Sequence, residues 1–170
     1  MKRLPVDADP SMHFRNHYQN AYVTRDLDKA ISLTEVRYGV RGLVPVDLEL
    51  DVVTPAGEAK LCMRLAYAWV GRMQIELIQP LSGCVDHYVD SLPRDGADHS
   101  LRFNHIAMRR DSLEELYAEI ETSKLPLLFE GRLEGLRYLY LDARRDLGHI
   151  LEYVWATPET WEFLGWPPDG

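Results

Sequence analysis

The feature that most constrains this chain is an order of elements that occurs twice. Asp26 precedes Leu27, Ala30, Ile31 and Thr34, which fall at helical period and are closed by Gly39. Ser112, with Glu115 three residues on as a capping box, precedes Leu113, Leu116, Tyr117 and Ile120. The two helix starts lie 86 residues apart. Before the first helix the pattern predicts a strand over 18–23, and after it strands over 46–53, 61–69 and 72–79. Around the second helix the corresponding strands are 103–108, then 126–129, 136–141 and 150–155. A βαβββ unit is therefore present twice. Half a chain of about 60 residues makes a marginal domain. Four strands carrying one helix also leave a sheet face bare. The expected fold is α+β, with two βαβββ modules pairing to form a cleft between curved sheets. The organisation reads as an N-terminal extension (1–16), a first module (17–80), a connector (81–102), a second module (103–156) and an apolar tail (157–170). One helical turn is predicted in the connector over 86–89. The tail carries Trp161, Phe163, Leu164 and Trp166, so it should pack on the domain, on a partner subunit or at the pocket mouth.

The repeat brings polar residues into equivalent places. The offset of 86 pairs Gln19 with His105 in the first strands, and aligning residues 73–78 with 149–154 pairs Glu76 with Glu152. All four interrupt otherwise apolar strands. An amide oxygen, an imidazole nitrogen and two carboxylates suit a borderline or hard divalent metal. The bland alternative is a solvated outer face: Gln74, Glu76 and Ile78 share one side of their strand, Ile75 and Leu77 the other.

Several segments carry a family likeness. Arg25-Asp26-Leu27-Asp28 after the first strand, IELIQP at 75–80, NHIA at 104–107 and LGHILEY at 147–153 resemble the vicinal oxygen chelate superfamily. That group includes glyoxalase I, methylmalonyl-CoA epimerase, extradiol dioxygenases and bleomycin-resistance proteins. The resemblance covers residues 17–155. It implies one divalent ion (Zn, Ni, Co, Mn or Fe) held by Gln19, Glu76, His105 and Glu152, with Glu152 and Glu76 as catalytic carboxylates. The implied reaction is proton transfer next to a carbonyl through a metal-stabilised enediolate, as in an isomerase, epimerase or lyase. Bacterial-type glyoxalase I places an Arg four residues after its first ligand and an Asn four after its second. Here Val23 and Pro80 occupy those positions, so a glutathione adduct is not the expected substrate. An epimerase-like chemistry would draw a second carboxylate from Glu49, Asp51 or Glu58. The alternatives are an extradiol-type dioxygenase, with His17 as first ligand in place of Gln19, and a non-catalytic binder of the bleomycin-resistance type.

Other residues are candidates for the pocket. Tyr138 and Tyr140 share a strand face, and His149 would reach it only through a bulge at Gly148. Arg109, Arg110, Arg144 and Arg145 are basic spots that would grip an acidic substrate or simply meet water. The net charge of −8 and a pI near 5.2 disfavour nucleic acid. No run reaches the ~18 apolar residues of a membrane span, and the N-terminus has no apolar signal core, so a cytoplasmic protein is expected. Cys62 and Cys84 have neither zinc-ribbon nor disulfide-framework spacing. The expected partners are a small-molecule substrate and a second copy in a homodimer.

Overall fold

The structure, a computed structural model, describes residues 14–166. Most of the expected N-terminal extension and the last four residues lie outside that range. The first module comprises β1 (His17–Val23), α1 (Leu27–Tyr38), β2 (Val46–Thr54), β3 (Gly57–Val70) and β4 (Met73–Gly83). A short α2 (Asp86–Val89) lies in the connector. The second module has β5 (Arg102–Arg110), α3 (Leu113–Ser123), β6 (Leu127–Leu133), β7 (Leu136–Leu141), α4 (Arg144–Leu147) and β8 (Ile150–Ala156). The apolar tail forms α5 (Pro158–Phe163), started by Thr157, whose side chain accepts from Thr160 N.

Local signals act as their chemistry dictates. Asp26 takes an extended backbone and its carboxylate accepts from Lys29 N, starting α1. Gly39, at φ +71°, ends it by donating to Glu35 O, a conformation that costs a side-chain-bearing residue more. Ser112 caps α3 through Glu115 N. The buried stripe of α3 is narrower than its sequence implies. Leu116 is fully buried, whereas Tyr117 is 41% exposed because its hydroxyl reaches out to donate to Glu130 Oε1 at 2.6 Å.

The strands close into one barrel in the order β1-β4-β3-β2-β6-β7-β8-β5. The bare faces of the two modules thus meet as one continuous sheet wrapped around a lumen. Both modules share the same internal register. The first strand runs parallel to the fourth, with Gln19 beside Gln74 in one module and His105 beside Ile150 in the other. The modules join antiparallel along β1–β5, where Ala21 faces His105, and at β2–β6, where Val52 and Val53 face Gly131 and Glu130.

Strand alternation then separates three cores. The lumen holds Ala21, Val23, Val52, Ile78, Ala107, Phe129, Tyr138 and Tyr140 among others. Outside, Leu27 and Ala30 of α1 cover Ala66, Ala68 and Leu77, while Leu116 of α3 covers Ile106, Met108, Leu139 and Leu151. Burying each such Leu or Met contributes roughly 1.5–3 kcal/mol. The faces of β4 and β8 that turn away from the helices are left to line the lumen. Glu76 and Glu152 lie on those faces.

Candidate active site

Both ends of the barrel are stoppered. At one end α2 inserts His87 and Tyr88, with the His87 ring 5.0 Å from Phe129 and 5.8 Å from Tyr140. Burial, then the nearby His105 and Arg144, push the His87 imidazole down to about 3, so it is neutral. At the other end the tail folds back. Trp161 and Trp166 meet Tyr18 edge-on at 5.5 and 5.3 Å, and Trp69 Nε1 donates to Leu164 O at 3.1 Å. Of the three places open to the tail, it takes the domain itself, over the barrel end.

Between the stoppers the paired residues converge. His105 is completely buried, with Nε2 at 3.2 Å from Glu152 Oε2 and 3.6 Å from Glu76 Oε2. The Tyr140 hydroxyl stands 3.3 Å from the same nitrogen. On the other side of the ring, Asn104 Oδ1 lies 3.0 Å from Nδ1. The Asn104 amide is oriented by its own donations to His87 O and Ser91 Oγ. An amide oxygen only accepts, so this pairing assigns the proton to Nδ1 and turns the Nε2 lone pair toward the two carboxylates. Three acceptors thus face one small space. Such a grouping is stable only with a proton or a cation among them. Burial, followed by the facing Glu152 carboxylate, holds the Glu76 carboxyl well above the usual range, so without a cation the pair retains a proton.

Gln19 is buried beside this group. Its Nε2 donates to Gln74 Oε1 at 2.5 Å, while its Oε1 is buried without a partner. Tyr138 OH is a further buried polar atom left without a hydrogen bond. Orphaned groups of this kind mark a place where a ligand, ion or water belongs.

The donor types suit a divalent metal: Gln19 has a spare acceptor, and His105 is held through its far nitrogen as metal-bound histidines commonly are. Among the described residues, no group of three or more His, Cys, Asp or Glu side chains is already arranged to hold an ion. Occupancy therefore requires the Glu76 and Glu152 side chains to adjust.

The remaining candidates lie elsewhere. His17 is exposed, with Nε2 shared between Gln19 O and Asn20 Oδ1, both at 3.0 Å. Glu49 and Asp51 are exposed partners of Lys60, and Glu58 is exposed too. Their neighbours Leu48, Leu50 and Val52 take the inner face, so strand alternation turns the acids outward. His149 is half-buried and meets Phe103 edge-on at 5.3 Å. Tyr138 and Tyr140 do line the lumen. Arg110 is fully buried on Glu119 at 2.6 Å, and Arg144 binds Asp142 and Asp90; both are structural.

Sequence reasoning missed Gln74, Tyr67, Asn104 and Tyr88. Gln74 was detectable, being two residues before Glu76 on the same strand face. Tyr67 stands directly across from Glu76, as Tyr140 stands across from Glu152.

Among known proteins, the family model described as Glyoxalase/Bleomycin resistance protein/Dioxygenase superfamily matches residues 18–140. A hypothetical protein from Bacillus halodurans C-125 superposes with a TM-score of 0.58 at 17% identity, covering 83% of this chain and 94% of that one. Methylmalonyl-CoA epimerase from Mycobacterium tuberculosis gives 0.57 at 18% identity, over 86% of this chain and 91% of that one. The Streptomyces coelicolor methylmalonyl-CoA epimerase, solved with 2-nitronate-propionyl-CoA, gives 0.55 at 17% identity, over 84% and 98%. These likenesses establish the fold. No curated protein sequence matches the chain.

Proposed function

The chain belongs to the glyoxalase/bleomycin resistance/dioxygenase superfamily, and from that premise we propose that it is an enzyme moving a proton at a carbon next to a carbonyl in a small molecule. The supporting observation is the convergence of Glu76 and Glu152, from opposite modules, on His105 Nε2. Two carboxyls whose surroundings differ can divide the roles of acid and base. Glu152 is the proposed base, taking the substrate proton at Oε2, while the Glu76 carboxyl returns a proton to the other face. That pairing gives epimerisation or isomerisation. Tyr140 and Asn104 fix the imidazole between the carboxylates, and the α2 and α5 stoppers exclude water, which strengthens every charge interaction inside. The orphaned hydroxyl of Tyr138 would hold a developing oxyanion.

The superfamily also suggests a divalent ion. Gln19, Glu76, His105 and Glu152 would hold it, and it would supply Lewis acidity to the substrate carbonyl. The full reading includes a homodimer in the cytoplasm; no helix of the described residues is long and apolar enough to cross a membrane.

The test is exchange of a substrate C–H in deuterated water, followed by NMR across a panel of 2-oxo and 2-methyl acyl compounds with and without added divalent metals. Glu152→Gln should lose about 10²- to 10⁴-fold of the exchange rate. Wild-type rates in that variant would remove Glu152 as the base. Oxygen consumption with ring cleavage of a catechol would replace the reading with a dioxygenase.

A further inference from the structure

A cavity of about 430 Å³ opens at the barrel end closed by the tail, lined by His17, Tyr18, Arg72, Arg109, Asp111 and Trp166, together with Asn16. The end of β5, the start of β1 and the β3–β4 turn meet there. Arg109 is the most constrained cation of the group. Its guanidinium lies over the rings of Trp166 at 4.4 Å and Trp161 at 5.1 Å, and its Nε donates to Asp111 Oδ1 at 2.9 Å. Stacking and the Asp111 bond fix the plane of the group. Among the described residues its two terminal nitrogens make no hydrogen bond. A flat guanidinium with its outer edge free is preorganised for a two-oxygen anion. Arg72, exposed on the turn, adds a second positive charge. This patch therefore carries two arginines against one aspartate in a chain of net charge −8.

Tyr18 belongs both to the lining of this cavity and to the lumen core. It is 6% exposed and stacks on Trp69 at 5.9 Å.

We propose that this cavity is a subsite for the carboxylate of a small acid, gripped by the free edge of Arg109 and attracted by Arg72. The substrate class becomes a carbonyl compound bearing a carboxylate on the side away from the carbon that loses its proton. This assignment rests on the proposed proton-transfer site for its orientation, while anion binding at the mouth is measurable by itself.

The experiment titrates the full-length protein with malonate and, separately, with its uncharged analogue malonamide at constant ionic strength. Binding is read by tryptophan fluorescence and by calorimetry. Malonate should bind at least tenfold tighter than malonamide, since the charge-assisted bonds to Arg are lost with the amide. Arg109→Gln should weaken malonate about tenfold or more, and Arg109→Lys should recover only part of it, because Lys lacks the fork. Arg72→Ala, on an exposed turn where folding is not at stake, should weaken it several-fold. Equal binding of the two probes, no saturable malonate binding at millimolar concentration, or wild-type affinity in Arg109→Gln would overturn the subsite. Tighter binding of inorganic phosphate than of malonate would overturn the carboxylate assignment. Glu152→Gln separates the two proposals: lost exchange with malonate affinity intact in Arg109→Gln defeats this inference alone, whereas retained exchange with affinity lost in Arg109→Gln defeats the reaction alone.

Discussion

Tyr67 and Tyr140 hold equivalent places, each directly across from a lumen-facing glutamate, yet only Tyr140 is fully enclosed. The same inequality runs through both modules. In the second, His105 is held from one side by Asn104 and met from the other by Tyr140, and Asn104 is itself anchored to α2. In the first, Gln19 is tied only to Gln74 and keeps an unpartnered oxygen. A duplicated backbone has become a rigid half that fixes the imidazole and a looser half that leaves acceptor capacity for something to bind. A fixed imidazole on one side and an unspent acceptor on the other are what a binding site uses to orient a ligand.

If that contrast holds, the largest stability difference should come from the two equivalent ligand positions. His105→Ala removes a fully buried side chain and takes the imidazole away from Asn104 Oδ1 and the Tyr140 hydroxyl, so it should cost about 3 kcal/mol or more in urea unfolding. Gln19→Ala should cost only about 1 kcal/mol, because its one bond is to another amide. Equal losses would break the comparison. In an anaerobic metal titration both variants should weaken binding, His105→Ala the more.

A second pair of equivalent positions sharpens it. Val46 faces Leu65 in the first module, where Gly131 faces Tyr138 in the second. A Cβ on Gly131 would fall inside the Tyr138 ring. Gly131→Ala should therefore destabilise by roughly 1–3 kcal/mol through overpacking and displace the Tyr138 hydroxyl from the lumen. Thermal unfolding measures the first effect and tyrosine NMR shifts the second.

Glu76 provides a pH test. Its carboxyl is raised in the folded chain, so above the ordinary carboxylate range the folded state holds a proton that the unfolded state has released. Stability should then fall as pH rises from that range through the raised value. In the presence of a chelator, Glu76→Gln should gain on wild type across that window, by about 2–4 °C in Tm for each kcal/mol relieved. The gap should vanish at pH 4, where both states are protonated. A constant gap would mean that Glu76 carries no folded-state proton.

The smallest effect separates the tyrosines themselves. Tyr140→Phe removes the hydroxyl beside His105 and should cost about 1 kcal/mol, whereas Tyr67→Phe, half-buried, should stay within about 0.5 kcal/mol in chemical denaturation.

Much of this was legible in the sequence because it rests on local rules. Asp26, Gly39 and Ser112 mark helix ends by side-chain and backbone chemistry that acts within four residues, and they set the repeat offset. That offset carried Gln19 onto His105, and a separate alignment of the fourth strands carried Glu76 onto Glu152, the equivalences realised in the two parallel registers. The Tyr67–Tyr140 correspondence was hidden because β3 runs 14 residues and β7 only 6, which erases any visible alignment. Glu49 and Asp51 drew attention as carboxylates, although the period of two that buries Leu48 and Leu50 already turns them outward. The stoppers were beyond reach for a different reason. Nothing local to Trp166 says that it will lie over Arg109, a residue brought to it only by closure of the barrel.

That closure is uneven. The modules are joined on one side by six registered pairs along β1–β5 and on the other by two, Val52 with Gly131 and Val53 with Glu130. The barrel therefore has a hinge and a clasp. Fluctuations that free backbone amides begin where the fewest bonds must break together. In hydrogen–deuterium exchange, Val52, Val53 and Gly131 should label well before Gln19 through Val23. The seam beside Gly131 is then the side on which the two halves first part, and the last to be fastened when the chain folds.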